Sequence, residues 1–199
     1  MNGAVVALAG NPNTGKTSLF NALTGSRQKV GNWPGVTVER KEGRLVIGGK
    51  EITLVDLPGV YSLGASSVDE QIAADFLRKE RPGAAVTVVD ATNLERSLYL
   101  AVQLRESGIP VVIALNMWDL AQRKGISVDA AELGRTLGSD IVPTTATKGT
   151  GVDELRRGIA ESLASKPGAS PLAIPYGSEV ERSLDRIAKA LPAGGSDRD

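Results

Sequence analysis

The sequence predicts an α/β domain: a mostly parallel six-stranded sheet with one antiparallel edge strand, helices on both faces and a short C-terminal helical extension. Three observations predict it. Near-continuous β-branched runs at Ala84–Asp90 (AAVTVVD) and Pro110–Asn116 (PVVIALN) lack polar alternation, so both faces of those strands must be covered, as in parallel sheets. Helical spacing of Leu94, Leu98, Ala101, Val102 and Arg105 fills the interval between them. Strand followed by helix, repeated along the chain, implies βαβ units around one sheet.

The elements follow in order. Ala4–Ala9 (AVVALA) reads as a buried strand and Gly10–Thr17 as a loop. Thr17–Leu23 continues as a helix with Leu19, Phe20 and Leu23 on one face. Gly25–Arg40 shows no period. Leu45–Ile47 and Ile52–Asp56 flank a Gly48-Gly49 turn, a hairpin signal that supplies the antiparallel edge strand. Ile141–Pro143 is a short last strand and Val152–Leu163 an amphipathic helix. Three prolines in Lys166–Tyr176 (KPGASPLAIPY) mark a linker, and Glu179–Leu191 is helical again before a polar tail. The expected division is a domain over residues 1–166, a linker over 167–177 and a small helical segment over 178–199.

Composition excludes several chemistries. With no His among 199 residues there is no Ser-His-Asp triad, imidazole base or His-ligated metal. With no Cys there is no disulfide framework or thiolate metal site, and a reducing compartment is expected. Basic and acidic side chains balance at 23 each, which argues against a nucleic-acid partner. No apolar run approaches the ~20 residues of a membrane helix.

Chemistry concentrates in the first loop. Gly10-Asn11-Pro12-Asn13-Thr14-Gly15-Lys16-Thr17 matches G-x-x-x-x-G-K-[ST] between a predicted strand and helix. Its glycines let backbone N–H groups curl around a β-phosphate, and the helix N-terminus adds its positive end. Lys16 would bridge β- and γ-phosphates, and the Thr17 hydroxyl would bind Mg²⁺. Asp56-Leu57-Pro58-Gly59 ends a strand facing this loop: Asp56 would hold a Mg²⁺-bound water, and the Gly59 N–H would meet the γ-phosphate. The alternative for this tetrad is a plain strand-end turn. Asn116-Met117-Trp118-Asp119 follows the next long strand. An aspartate accepts two hydrogen bonds from guanine's N1–H and exocyclic amine, a pattern adenine cannot offer. Asn116 would brace the phosphate loop and the base site. The alternative for Asp119 is a helix cap.

GNPNTGKT, Thr37, DLPG, NMWD and Thr145-Ala146-Thr147 together resemble the translation-factor-like P-loop GTPases. By that resemblance the Ala146 N–H meets guanine O6. Thr145 stands where a Ser is usual, and Met117 where a Lys is usual. The string Val30-Gly31-Asn32-Trp33-Pro34-Gly35-Val36-Thr37-Val38-Glu39 narrows the resemblance to the G domain of the bacterial ferrous iron transport protein B (FeoB) family, over roughly Ala4–Leu163. The resemblance implies a GTPase at the cytoplasmic face of the bacterial inner membrane, with a membrane-embedded transporter portion as partner and room for a homo-oligomer. It implies nucleotide contacts at Gly10 through Thr17 and at Ser18; at Gly35, Val36 and Thr37; at Asp56, Leu57, Pro58 and Gly59; at Asn116, Met117 and Asp119; and at Thr145, Ala146 and Thr147. Thr37 would join Thr17 and Asp56 around Mg²⁺. FeoB proteins carry a helical regulatory domain after the G domain, of which one helix is expected here.

The residue after DLPG is Val60, where many small GTPases place a water-orienting Gln. By the resemblance, the residues expected to carry catalysis are Asn13, Lys16, Thr37 and Gly59. In cation-activated relatives, an Asn in the G-x-P-N loop and two loop carbonyls hold K⁺ beside the phosphates; the matching groups are Asn13 and the carbonyls of Gly31 and Trp33. The alternative for Trp33 is a core anchor under its loop. The expected activity is Mg²⁺-dependent, K⁺-stimulated GTP hydrolysis. A GDP-holding module, an RNA-linked assembly GTPase and an ATP-binding P-loop protein are the alternatives, and Asn116 with Asp119 disfavours the last.

Overall fold

The computed structural model describes residues 4–25 and 28–164, together with Leu172, Arg182, Ser183 and Arg186. The rest of the expected linker and of the helix at Glu179–Leu191 lies outside the described residues.

Among the described residues seven strands form one sheet: β1 Ala4–Gly10, β2 Gln28–Asn32, β3 Glu39–Ile47, β4 Lys50–Asp56, β5 Ala84–Asp90, β6 Val111–Asn116 and β7 Asp140–Pro143. Their spatial order is β2-β3-β4-β1-β5-β6-β7. β4, β1, β5, β6 and β7 pair in parallel, while β3 is antiparallel to both its neighbours. The α/β class with an antiparallel margin is as expected, but the sheet has seven strands rather than six. The additional strand, β2, lies within the stretch that shows no period. Its residues QKVGN are partly or fully exposed, so it joins the sheet through backbone bonds without burying an apolar row. β3 also starts earlier than its apolar residues announce, at Glu39, and its charged half pairs with β2.

Among the residues described through 164, six helices cover the sheet: α1 Lys16–Thr24, α2 Val68–Glu80, α3 Leu94–Glu106, α4 Trp118–Arg123, α5 Ala130–Leu137 and α6 Val152–Ala164. Strand alternation sends Ala7, Val89, Ile113 and Leu115 to one face, where Phe76, Leu77, Leu100, Leu104 and Leu137 from α2, α3 and α5 cover them. Leu8, Val86, Val112 and Ala114 go to the other face, beneath Leu19, Phe20, Leu155 and Ile159 from α1 and α6. Two apolar layers around one sheet account for the unalternating β5 and β6 sequences. From β1 the chain builds β2, β3 and β4 on one side and then β5, β6 and β7 on the other, so the end of β1 is the topological switch point. Ligands of open α/β sheets bind at such points.

Candidate functional site: a nucleotide cradle at the end of β1

β1, the central strand, delivers Gly10 to the carboxyl end of the parallel strands, and the chain turns through residues 11–15 before α1 starts at Lys16. The turn uses left-handed backbone at Asn13 (φ 66°) and Gly15 (φ 82°). Glycine is required at 15 on a second ground: a Cβ there would stand 2.3 Å from Asn116 Nδ2. The Thr14 hydroxyl donates to the Asn11 carbonyl (2.9 Å), and the Thr14 carbonyl accepts from Asn116 Nδ2 (2.8 Å). The first-turn N–H groups of α1 have no acceptor within the helix, so loop and helix start together form an anion-binding cradle. Pro12, Asn13 and Thr17 on its rim are exposed, and Ser18 is half-buried.

The Lys16 ammonium is paired with the Asp56 carboxylate at the end of β4. Burial pushes the Asp56 carboxyl above its ordinary range, while Lys16 and then Lys41 pull it back down. After Asp56 the chain is clamped to the phosphate loop. The Leu57 N–H donates to the Leu8 carbonyl (3.0 Å) and the Val60 N–H to the Gly10 carbonyl (3.2 Å). Pro58 is half-buried, and Gly59 lies against Pro12, where a Cβ would meet Pro12 Cα at an ordinary contact distance of 3.4 Å. Val60 itself is buried in the core with Trp33.

Asn116 ends β6 and bonds to two loops at once. Besides donating to Thr14, it accepts at Oδ1 from the Ala146 N–H (3.0 Å) and the Thr144 hydroxyl (3.2 Å). Met117 turns the chain with φ 59° and takes the cap position of α4. Helix capping, the alternative role for Asp119, therefore does not occur. Asp119 sits in the first turn of α4, its Oδ2 accepting from Lys148 Nζ (2.8 Å) with Arg123 at 3.7 Å. The Lys148 bond is the main cause that holds the Asp119 carboxyl below its usual range. Thr145 and Ala146 are buried at the start of a 3₁₀ turn, Ala146–Lys148, and Thr147 is exposed.

The segment around Thr37 stands apart. Its turn is closed by the Trp33 N–H on the Val38 carbonyl (2.9 Å), with the Val36 N–H on the Trp33 carbonyl (3.3 Å). The Trp33 ring is buried, edge-on to Phe76 at 5.5 Å with Arg40 at 4.6 Å over it, so the indole anchors the loop to the core. Gly31, Gly35 and Thr37 are exposed. Among the described residues no hydrogen bond joins 31–37 to the phosphate loop. The structure thus brings together residues 10–18, 56–60, 116–119 and 144–148, and leaves 31–37 attached through Trp33.

Several partners carry no signal in sequence spacing. Asn11 Nδ2 donates to the Arg96 carbonyl (3.0 Å), Arg96 lies 4.1 Å over the Tyr61 ring, and Gln103 on α3 accepts from the Leu63 N–H (2.8 Å). Lys148 was legible only as the residue following Thr147. A signal for one of these positions went unread: Ser67-x-x-Glu70 is a capping signature, and the Ser67 hydroxyl caps α2.

The donor set fits Mg²⁺. No group of three or more His, Cys, Asp or Glu side chains is gathered among the described residues. Mg²⁺ at a phosphate keeps several waters and needs only one or two hard oxygens from protein, which the Thr17 hydroxyl and the buried Asp56 carboxylate offer. The exposed Asn13 amide is a comparable hard donor for K⁺.

The family model described as ferrous iron transport protein B matches residues 4–159. The Fe(2+) transporter FeoB of Escherichia coli strain K12 is 44% identical over 192 residues, 94% of this chain and 24% of that protein. The chain thus spans about a quarter of the length of the curated relatives it matches. The cytosolic domain of the T. maritima FeoB iron transporter in a GDP form superposes with a TM-score of 0.89 at 44% identity, covering 94% of this chain and 73% of that one. The FeoB G-domain from Methanococcus jannaschii gives 0.74 at 45%, covering 83% of this chain and all of that one. The fold is a GTPase fold, and the chain belongs to the ferrous iron transport protein B (FeoB) family, of which it represents the G-domain portion.

Proposed function

We propose that this chain binds and hydrolyses GTP as a switch that regulates or drives ferrous iron uptake by a membrane-embedded transporter portion, working at the cytoplasmic face of the bacterial inner membrane. The observation that carries the proposal is Asn116, whose amide bonds to the phosphate loop and the Ala146 turn together, with Asp119 three residues on. That arrangement puts the elements expected to read guanine and phosphate under one side chain. The T. maritima relative was solved in GDP and GMPPNP forms, which supports the same ligand class here.

In this reading Gly10 through Ser18 enclose the α- and β-phosphates, and Lys16 exchanges Asp56 for phosphate oxygens. Asp119 accepts from the guanine edge, Met117 covers the ring, and the Thr145-Ala146-Thr147 turn meets O6. Thr17, Thr37 and Asp56 would hold Mg²⁺, which when bound would supply charge neutralisation at the phosphates. Asn13 and the Gly31 and Trp33 carbonyls would hold K⁺, which would add positive charge at the phosphates. The Thr37 and Gly59 N–H groups contact the γ-phosphate, and its loss frees residues 26–40 and 57–72 to relax. Val60 is apolar and buried, so its side chain orients no water. Positioning and charge neutralisation suffice for a loose phosphoryl transition state.

The test is steady-state GTP turnover with Mg²⁺ in KCl and in NaCl. Faster turnover in KCl, lost in Asn13→Ala, is expected. Equal rates in the two salts, or an unimpaired Asn13→Ala, would remove the monovalent-cation role. No GTP turnover in either salt would remove hydrolysis.

A further inference from the structure

The β6–α4 turn and the Ala146–Lys148 turn meet at one ion pair. Lys148 Nζ donates to Asp119 Oδ2 at 2.8 Å, with the Asp119 side chain 27% exposed and that of Lys148 59%. The turn carrying Lys148 is fixed, because the Ala146 N–H is held by Asn116 Oδ1 at 3.0 Å. The ammonium is therefore presented to Asp119 by the asparagine that also braces the phosphate loop. Arg123 lies 3.7 Å from the same oxygen, beyond hydrogen-bond distance, and does not duplicate the bond.

A guanine edge asks Asp119 for both carboxylate oxygens, one for N1–H and one for the exocyclic amine. Oδ2 already carries a charge-assisted bond. We propose that Lys148 is an internal competitor for the base-reading carboxylate: its ammonium and the guanine edge draw on the same oxygen, so Lys148 weakens guanine-nucleotide binding and speeds nucleotide release. This rests on the reading of Asp119 as the guanine contact. The lowered Asp119 carboxyl, caused first by the Lys148 bond, agrees with a lysine that stabilises the unliganded carboxylate. Exposure of the pair sets the size of the effect, since solvent-exposed ion pairs shift an equilibrium by about two- to fivefold.

The experiment measures affinity and stopped-flow release of a ribose-labelled fluorescent GDP from this chain and its variants. Lys148→Ala is expected to bind about two- to fivefold more tightly and to release more slowly, while Lys148→Arg stays near the unsubstituted chain. Asp119→Asn removes the ion pair and exchanges the guanine preference for xanthine, whose C2 carbonyl accepts from the Asn amide. In that background, with labelled xanthosine diphosphate, Lys148→Ala is expected to change nothing. Equal or weaker GDP binding by Lys148→Ala would overturn the proposal, as would an equal effect in the Asp119→Asn background. Absence of GDP binding by the unsubstituted chain would instead overturn the guanine reading and the competitor with it.

Discussion

At Asn116 one carboxamide serves Thr14, Thr144 and Ala146 in a setting only 3% exposed. Asn116→Ala would leave the Thr14 carbonyl and the Ala146 N–H without this partner. Each buried polar group so orphaned costs about 1–3 kcal/mol. We expect a urea midpoint lowered to match, and GDP affinity down at least about tenfold, since ~1.4 kcal/mol is a factor of ten. An unchanged midpoint and affinity would show that neither loop depends on the amide. The position of Asn116 and Asp119 just beyond a strand was legible from the β-branched run that precedes them. Lys148 was not, because nothing local says which of several exposed cations will reach an aspartate 29 residues away. Trp33 was ambiguous for a different reason: the sequence offers a loop contact with a core anchor as the lesser alternative, and for its ring packing on Phe76 decides for the core.

At the scale of elements, the loop after Gly59 is held by its neighbours. The Glu70 carboxylate accepts from the Ser62 hydroxyl (2.8 Å) and the Ser66 N–H (2.9 Å), and these two bonds, in that order, lower its pKa from the ordinary 4.5. A carboxyl that is more acidic when folded contributes its stabilisation in full above the unfolded value of 4.5, and loses it as pH falls through the lower folded value. Amide exchange at Ser66 is therefore expected to stay protected at neutral pH and to rise only below about 4.5, whereas Glu70→Gln should show the raised exchange at neutral pH. Identical exchange in the two proteins at pH 7 would mean the carboxylate does not hold the loop. The cap at Ser67 was readable from S-x-x-E, but the reach back to Ser62 was not, because a loop without period gives no register. β2 escaped for the same reason: edge pairing uses backbone groups that every residue carries, so the polar string QKVGN pairs without an apolar signature.

Across the whole molecule, the parallel sheet, its two apolar layers and the switch point at β1 follow from strands covered on both faces, the feature most visible in the sequence. Less visible is the role of α3, which touches the phosphate loop through the Arg96 carbonyl and the following loop through Arg96 over Tyr61 and Gln103 on Leu63. These are long-range contacts among residues that would otherwise read as a solvated helix face. They join the phosphate loop and the Asp56–Leu63 segment into one body, on which the Thr37 loop rests through Trp33. The account depends on that body enclosing a guanosine nucleotide. Isothermal titration of this chain with GDP and with ADP, each in Mg²⁺, tests it most directly. Saturable one-site binding of GDP with no measurable heat from ADP is predicted. Equal binding of the two, or none by GDP, would contradict it.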